Sequence, residues 1–120
     1  MSEMASLTID DGDDDVVVAR LAGEVDLANA GLVGDELKAA VPNRALGLVL
    51  DLERTTYLDS SGVSLVFDLA DRLRRRQQQL RLVAPAGAPL RRVLRIVDPT
   101  DALPVLESVG DAVADIRAAV

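Results

Sequence analysis

The sequence predicts an α/β fold with a mixed sheet of four to five strands and about four helices, and three observations carry that reading. An Asp-Gly pair at Asp11-Gly12, inside DDGDDD, separates two short apolar runs; both residues tolerate positive φ, which a tight antiparallel hairpin turn requires. Beyond it, segments with strand patterning alternate with segments of helical spacing. The run at residues 46–52 (LGLVLDL) is almost continuously apolar, as a central strand covered on both faces must be. At 120 residues the chain has the length of one domain. Its apolar fraction of 49%, nearly all Ala, Val and Leu, supplies a core without metal or disulfide staples.

Residues 1–5 read as an N-terminal tail and residues 6–120 as the domain. A first strand is expected at 6–10 and its antiparallel partner at 16–21 (VVVARL). Gly23-Glu24-Val25-Asp26 closes that strand, and the Asp26 carboxylate is placed to cap the next helix. Leu27, Ala30, Val33, Leu37 and Val41 recur on one face of this helix, which Pro42 ends. Gly31 and Gly34 each weaken it by about 1 kcal/mol relative to Ala. After the central strand, residues 55–59 lead to two serines, and a second helix at 62–76 turns Val63, Val66, Leu69, Ala70 and Leu73 inward. Arg74, Arg75 and Arg76 occupy its last turn, where the helix dipole favours cations. A strand follows at 80–84, then a loop at Pro85 and Gly87. A short helix spans 89–97 with Leu90, Val93, Leu94 and Val97 inward. A brief edge strand is expected at 103–105 and a last helix at 108–120, with Ala112, Val113, Ile116 and Val120 on its inner face.

Composition narrows the chemistry. The chain has no cysteine and no histidine, which removes disulfides, the usual zinc ligands, thiol nucleophiles and the commonest general base. A formal net charge of −7 and an aromatic content of 2% argue against direct contact with nucleic acid, which rewards positive charge and stacking platforms. No apolar run is long enough to span a bilayer, so direct membrane contact is not expected and a cytoplasmic location is. The Asp-rich stretch near residue 12 lacks the glycine and the glutamate of a calcium loop, since those positions hold Val16 and Ala22; it reads as a solvated hairpin tip. No cofactor is implied.

Two sites invite a chemical reading. Asp51 ends the central strand, as the phosphorylated aspartate of a response-regulator receiver does, but the acidic pair and the late lysine of those domains are missing; the single lysine is Lys38. A glycine-rich phosphate loop with its lysine is also absent. The remaining site is Asp59-Ser60-Ser61-Gly62 at a helix start. Capping accounts for one of these side chains, worth roughly 1 kcal/mol, and leaves hydroxyls over. A serine hydrolase is excluded, because nothing activates the hydroxyl. Phosphorylation fits: a helix N-terminus tolerates an added phosphate, which brings about −1.5 to −2 charges.

Gly23-Glu24-Val25-Asp26, then Asp51-Leu52, then Tyr57-Leu58-Asp59-Ser60-Ser61-Gly62 resemble the signature of anti-sigma factor antagonists, single domains of the STAS fold. LRLVAP and the segment from Ala88 to Val113 continue the likeness over nearly the whole chain. The resemblance implies a binding protein, not an enzyme. Its unphosphorylated form binds an anti-sigma factor with serine kinase activity and frees a sigma factor. Phosphorylation of Ser60 breaks the complex and a serine phosphatase resets it. On this reading Asp59, Ser61, Gly62, Val63, Ser64 and Asp26 contact the partner, with Gly62 letting the partner backbone approach. Mispaired charge at such an interface weakens binding by about two orders of magnitude or more. Ser64 stands where many relatives carry glycine. A basic strip of Arg91, Arg92 and Arg95 reads as a solvated helix face. The rival function keeps the fold and makes the chain a stand-alone subunit of a membrane transporter.

Overall fold

Alternation along the strands sends two sets of side chains to opposite faces of one sheet. Val17, Ala19, Leu21, Leu48, Leu50, Leu52 and Leu82 pack into a large core with Val33, Leu37, Val66, Leu69, Leu73, Leu90 and Leu94. Val16, Val18, Val49 and Val83 pack on the other side against Ala112 and Ile116. The elements come from a computed structural model that describes residues 5–10, 15–100 and 102–120. They run β1 (Ala5–Asp10), β2 (Val16–Val25), α1 (Ala30–Ala40), β3 (Gly47–Leu58), α2 (Ser60–Arg75), β4 (Gln79–Val83), α3 (Arg91–Val97), β5 (Val105–Leu106) and α4 (Val109–Ala118). The strands lie in the order β1-β2-β3-β4-β5. β1 is antiparallel to β2, and the β2–β3, β3–β4 and β4–β5 pairs are parallel. The expected class, strand number and helix number are therefore those of the structure. The turn at Asp11-Gly12 and residues 1–4 lie outside the described residues; Ala5 already pairs with Gly23 at the start of β1.

Two strands are much longer than their apolar runs. β2 continues to Val25 and β3 to Leu58, paired in parallel from Val16↔Gly47 to Val25↔Leu58. β4 accompanies β3 only as far as Asp51↔Val83, whereas β1 flanks β2 up to Gly23; the last pairs, Glu24↔Tyr57 and Val25↔Leu58, lead to the serines. Register shifts break the alternation there between Arg20 and Ala22 and between Gly23 and Glu24. Gly23, at φ 94°, takes the backbone conformation that such a bulge requires and that side chains disfavour. Thr55 is fully buried beside the first irregularity, and its hydroxyl donates to the Leu21 carbonyl at 2.7 Å.

Three inward assignments do not hold. Leu27 is 80% exposed and Val120 72% exposed, because the periodic face was extended past the helix at each place: α1 starts at Ala30 and α4 ends at Ala118. Val97, in the last turn of α3, is only half-buried. The edge strand falls at Val105–Leu106, a little later than expected.

Candidate functional site

A parallel strand that ends in a helix aims the helix N-terminus at the edge of the sheet, and here two such helices start side by side. Asp59 is the N-cap of α2. Its Oδ1 accepts from the backbone N–H of Ser61 at 2.8 Å and of Gly62 at 3.1 Å, filling the role of a capping carboxylate. Its Oδ2 accepts from the N–H of Leu27 at 3.1 Å. One carboxylate thus ties the start of α2 to the turn before α1. Because Asp59 supplies the cap, neither serine is needed for it. Ser60 is exposed, and among the described residues its hydroxyl has no hydrogen-bond partner.

The turn before α1 departs from the expected capping. Asp26 lies four residues ahead of the helix, and its carboxylate accepts from the Ala28 N–H at 2.9 Å within the turn. The N-cap is Asn29, which makes no side-chain bond to the helix. Asn29 is instead fully buried. Its Oδ1 accepts from the Asp26 N–H at 3.0 Å and its Nδ2 donates to the Glu24 carbonyl at 3.0 Å. Buried backbone groups need partners, and Asn29 provides two within this turn. Sequence reasoning missed it. The available signal was a cap-type residue three positions after Asp26, before helical spacing begins.

The other sequence-predicted residues divide by exposure. Ser64 is exposed and Ser61 half-buried, and both line a groove between α1 and α2, of about 360 Å³, that also takes in Ser60, Gly31, Gly34 and Leu65. Val63 is partly buried against the core. Gly62 is buried, and a Cβ there would stand 3.0 Å from Leu58 and 3.2 Å from the Val25 carbonyl. Its missing side chain makes room for the Leu58 side chain and the Val25 carbonyl. Asp51 is held by Arg20 at 3.8 Å and by the Glu53 N–H at 3.0 Å, so it has structural partners. Arg91 is tied to Glu107 and to the Ala84 carbonyl.

The fold and this helix start define a class of small domain with one exposed, unoccupied serine at a capped helix N-terminus. The family model of the STAS domain matches residues 9–112, and the chain is 33% identical over 106 residues to BtrV of Bordetella bronchiseptica, whose name describes it as an anti-sigma factor antagonist; the match covers 88% of this chain and 90% of that one. The chain belongs to the STAS family, among the anti-sigma factor antagonists.

Solved structures share the fold. An anti-sigma factor antagonist from Mycobacterium paratuberculosis superimposes with a TM-score of 0.81 at 24% identity, covering 94% of each chain. The anti-sigma factor antagonist SpoIIAA in its unphosphorylated form gives 0.75 at 22% identity, covering 96% of this chain and 99% of that one. The Bacillus SpoIIAA in its phosphorylated form gives 0.69 at 21%, covering 93% and 100%. A plant relative, a sulfate transporter of Arabidopsis thaliana, is 32% identical over 71 residues, 58% of this chain but only 11% of the transporter's length. Among the described residues no helix is long and apolar enough to cross a membrane.

Proposed function

We propose that this protein is a partner-switching antagonist that works by binding in the cytoplasm. Its unphosphorylated form captures an anti-sigma factor that is also a serine kinase, and so releases a sigma factor. The kinase phosphorylates Ser60, the complex separates, and a phosphatase restores the hydroxyl. The observation that carries this reading is the division of labour at the start of α2. Asp59 caps the helix, which leaves the Ser60 hydroxyl exposed. A phosphate added at that point meets a helix N-terminus that favours anions, so the fold survives while the surface changes. SpoIIAA, of the same fold, is known in both phosphorylated and unphosphorylated forms, and BtrV is named for the same activity.

Intact mass and fragmentation of the protein recovered from its own cells, beside a Ser60→Ala control, test the reading. One phosphoryl group on Ser60, absent from the control, is expected. Lack of modification across growth and stress conditions overturns the switch and promotes the rival, a transporter subunit, whose present support is the 71-residue match to a plant transporter.

A further inference from the structure

The formal net charge of −7 is concentrated beside Ser60. Residues 21–37 and 55–71 contain seven carboxylates and no lysine or arginine, so the other 13 acidic and 13 basic residues cancel. Only Asp71 of the seven is ion-paired, to Arg74 and Arg75; among the described residues Glu24, Asp26, Asp35, Glu36, Asp59 and Asp68 have no ion pair. Within this acidic field two leucines are exposed. Leu27 is 80% and Leu32 55% exposed. Gly31, one turn after Leu27, is exposed, and a Cβ there would meet nothing within 4 Å. Gly31 shares its groove with Ser60 and Ser64, and with Asp35, Asp68 and Lys38 further along. The Asp59 carboxylate fixes Leu27 beside the phosphoacceptor through its N–H.

We propose that Leu27, Gly31 and Leu32 form the docking seat for the kinase anti-sigma factor, which inserts an apolar side chain from a lysine- and arginine-bearing surface. The inference rests on the switch reading above and names the surface that the switch controls. Charge complementarity selects the occupant: six carboxylates outside any ion pair among the described residues, against Lys38 in the groove, repel an acidic partner and steer a basic one. Apolar centre and charged rim then divide the binding. The rim acts at a distance and sets the association rate, whereas the desolvated centre sets the lifetime. The same division explains how a phosphate breaks a complex with a basic partner. At the rim its charge would help, but Ser60 adjoins the apolar centre, where a dianion must lose its water without a ready counter-charge.

The test measures the binding kinetics of the purified serine kinase that phosphorylates this protein to the full-length chain, at about 50 mM and about 300 mM salt, on either side of strong screening. Leu27→Ala is expected to raise koff about tenfold or more with kon within about twofold. Gly31→Leu fills an open groove, so it should lose binding to a similar degree while its melting temperature stays level or rises; this separates docking from folding. The triple variant Asp35→Asn, Glu36→Gln, Asp68→Asn should lower kon about tenfold at low salt, a difference that disappears at high salt. If the Leu27 and Gly31 variants bind like the wild type while phosphorylation of Ser60 still abolishes binding, the seat is wrong and the switch stands. A wild-type chain that fails to bind the kinase overturns both.

Discussion

Around α3 and α4 three ion pairs are made within the molecule. Arg81 meets Asp115 at 2.6 Å, Arg91 meets Glu107 at 2.8 Å, and Arg117 meets Asp15 at 2.9 Å. Around α1 and the start of α2 the carboxylates make no ion pair among the described residues, and the turns are closed by neutral or backbone partners: Asn29, Thr55, and the N–H groups from which Asp59 accepts. The first region uses charge for its own cohesion. The second leaves charge over, beside an exposed serine. Surplus charge of one sign, on a surface that holds itself together by other means, is what remains when a surface is built to meet another molecule.

Substitutions can break this contrast. The largest effect is expected at Asn29. Asn29→Ala strips the Glu24 carbonyl and the Asp26 N–H of their buried partners, and should lower unfolding free energy by about 3 kcal/mol, read by denaturant titration. A change below about 1 kcal/mol would mean that water closes the turn and that Asn29 is not its organiser. Next is the paired side. Asp115→Ala leaves Arg81, whose side chain is 11% exposed, with only the Gln79 side chain and the Leu80 carbonyl. The expected loss is about 1–2 kcal/mol, less than for a fully buried pair because Asp115 is half-exposed.

The unpaired side should behave in the opposite way. Asp35→Asn with Asp68→Asn removes two like charges and breaks no ion pair, so stability should hold within about 0.5 kcal/mol or rise. A clear loss there would show that these carboxylates have partners in solution, and would erase the contrast.

The smallest effect concerns Asp15. The hydrogen bond from Arg117, reinforced by its charge, holds the Asp15 carboxyl below the ordinary aspartate value of 3.8. The unfolded chain therefore binds this proton more readily than the folded one. The contribution to stability is present above about pH 4 and is lost as pH falls through the lower folded value. An NMR titration of Asp15 should show its midpoint below 3.8 in the wild type, and near 3.8 in Arg117→Gln.

How much of this was legible in the sequence follows from the range of the forces involved. Periodicity reports on a residue and its neighbours within a few turns, so the core strand at LGLVLDL, the inner face of α2 and the helix start at the serines were readable. Ser108, the cap of α4, whose hydroxyl accepts from the Asp111 N–H at 3.1 Å, was placed at the head of its helix by the same local logic. Leu27 shows where that logic fails. It continues the apolar spacing of α1, yet it is outside the helix because the turn that carries it is closed by Asn29 and by Asp59, which is 32 residues away.

The sequence by itself determined the class of fold, the order of its elements and the helix start at Asp59-Ser60-Ser61-Gly62, since each depends on spacing, capping and residue type over short stretches. Only the tertiary structure decided that β2 and β3 run on past their apolar runs, that Gly62 faces inward, and that Leu27 and Gly31 stand beside Ser60. Those outcomes depend on parallel pairing and on hydrogen bonds between residues far apart in the chain, and no local pattern encodes which distant carbonyl or carboxylate a backbone N–H will find.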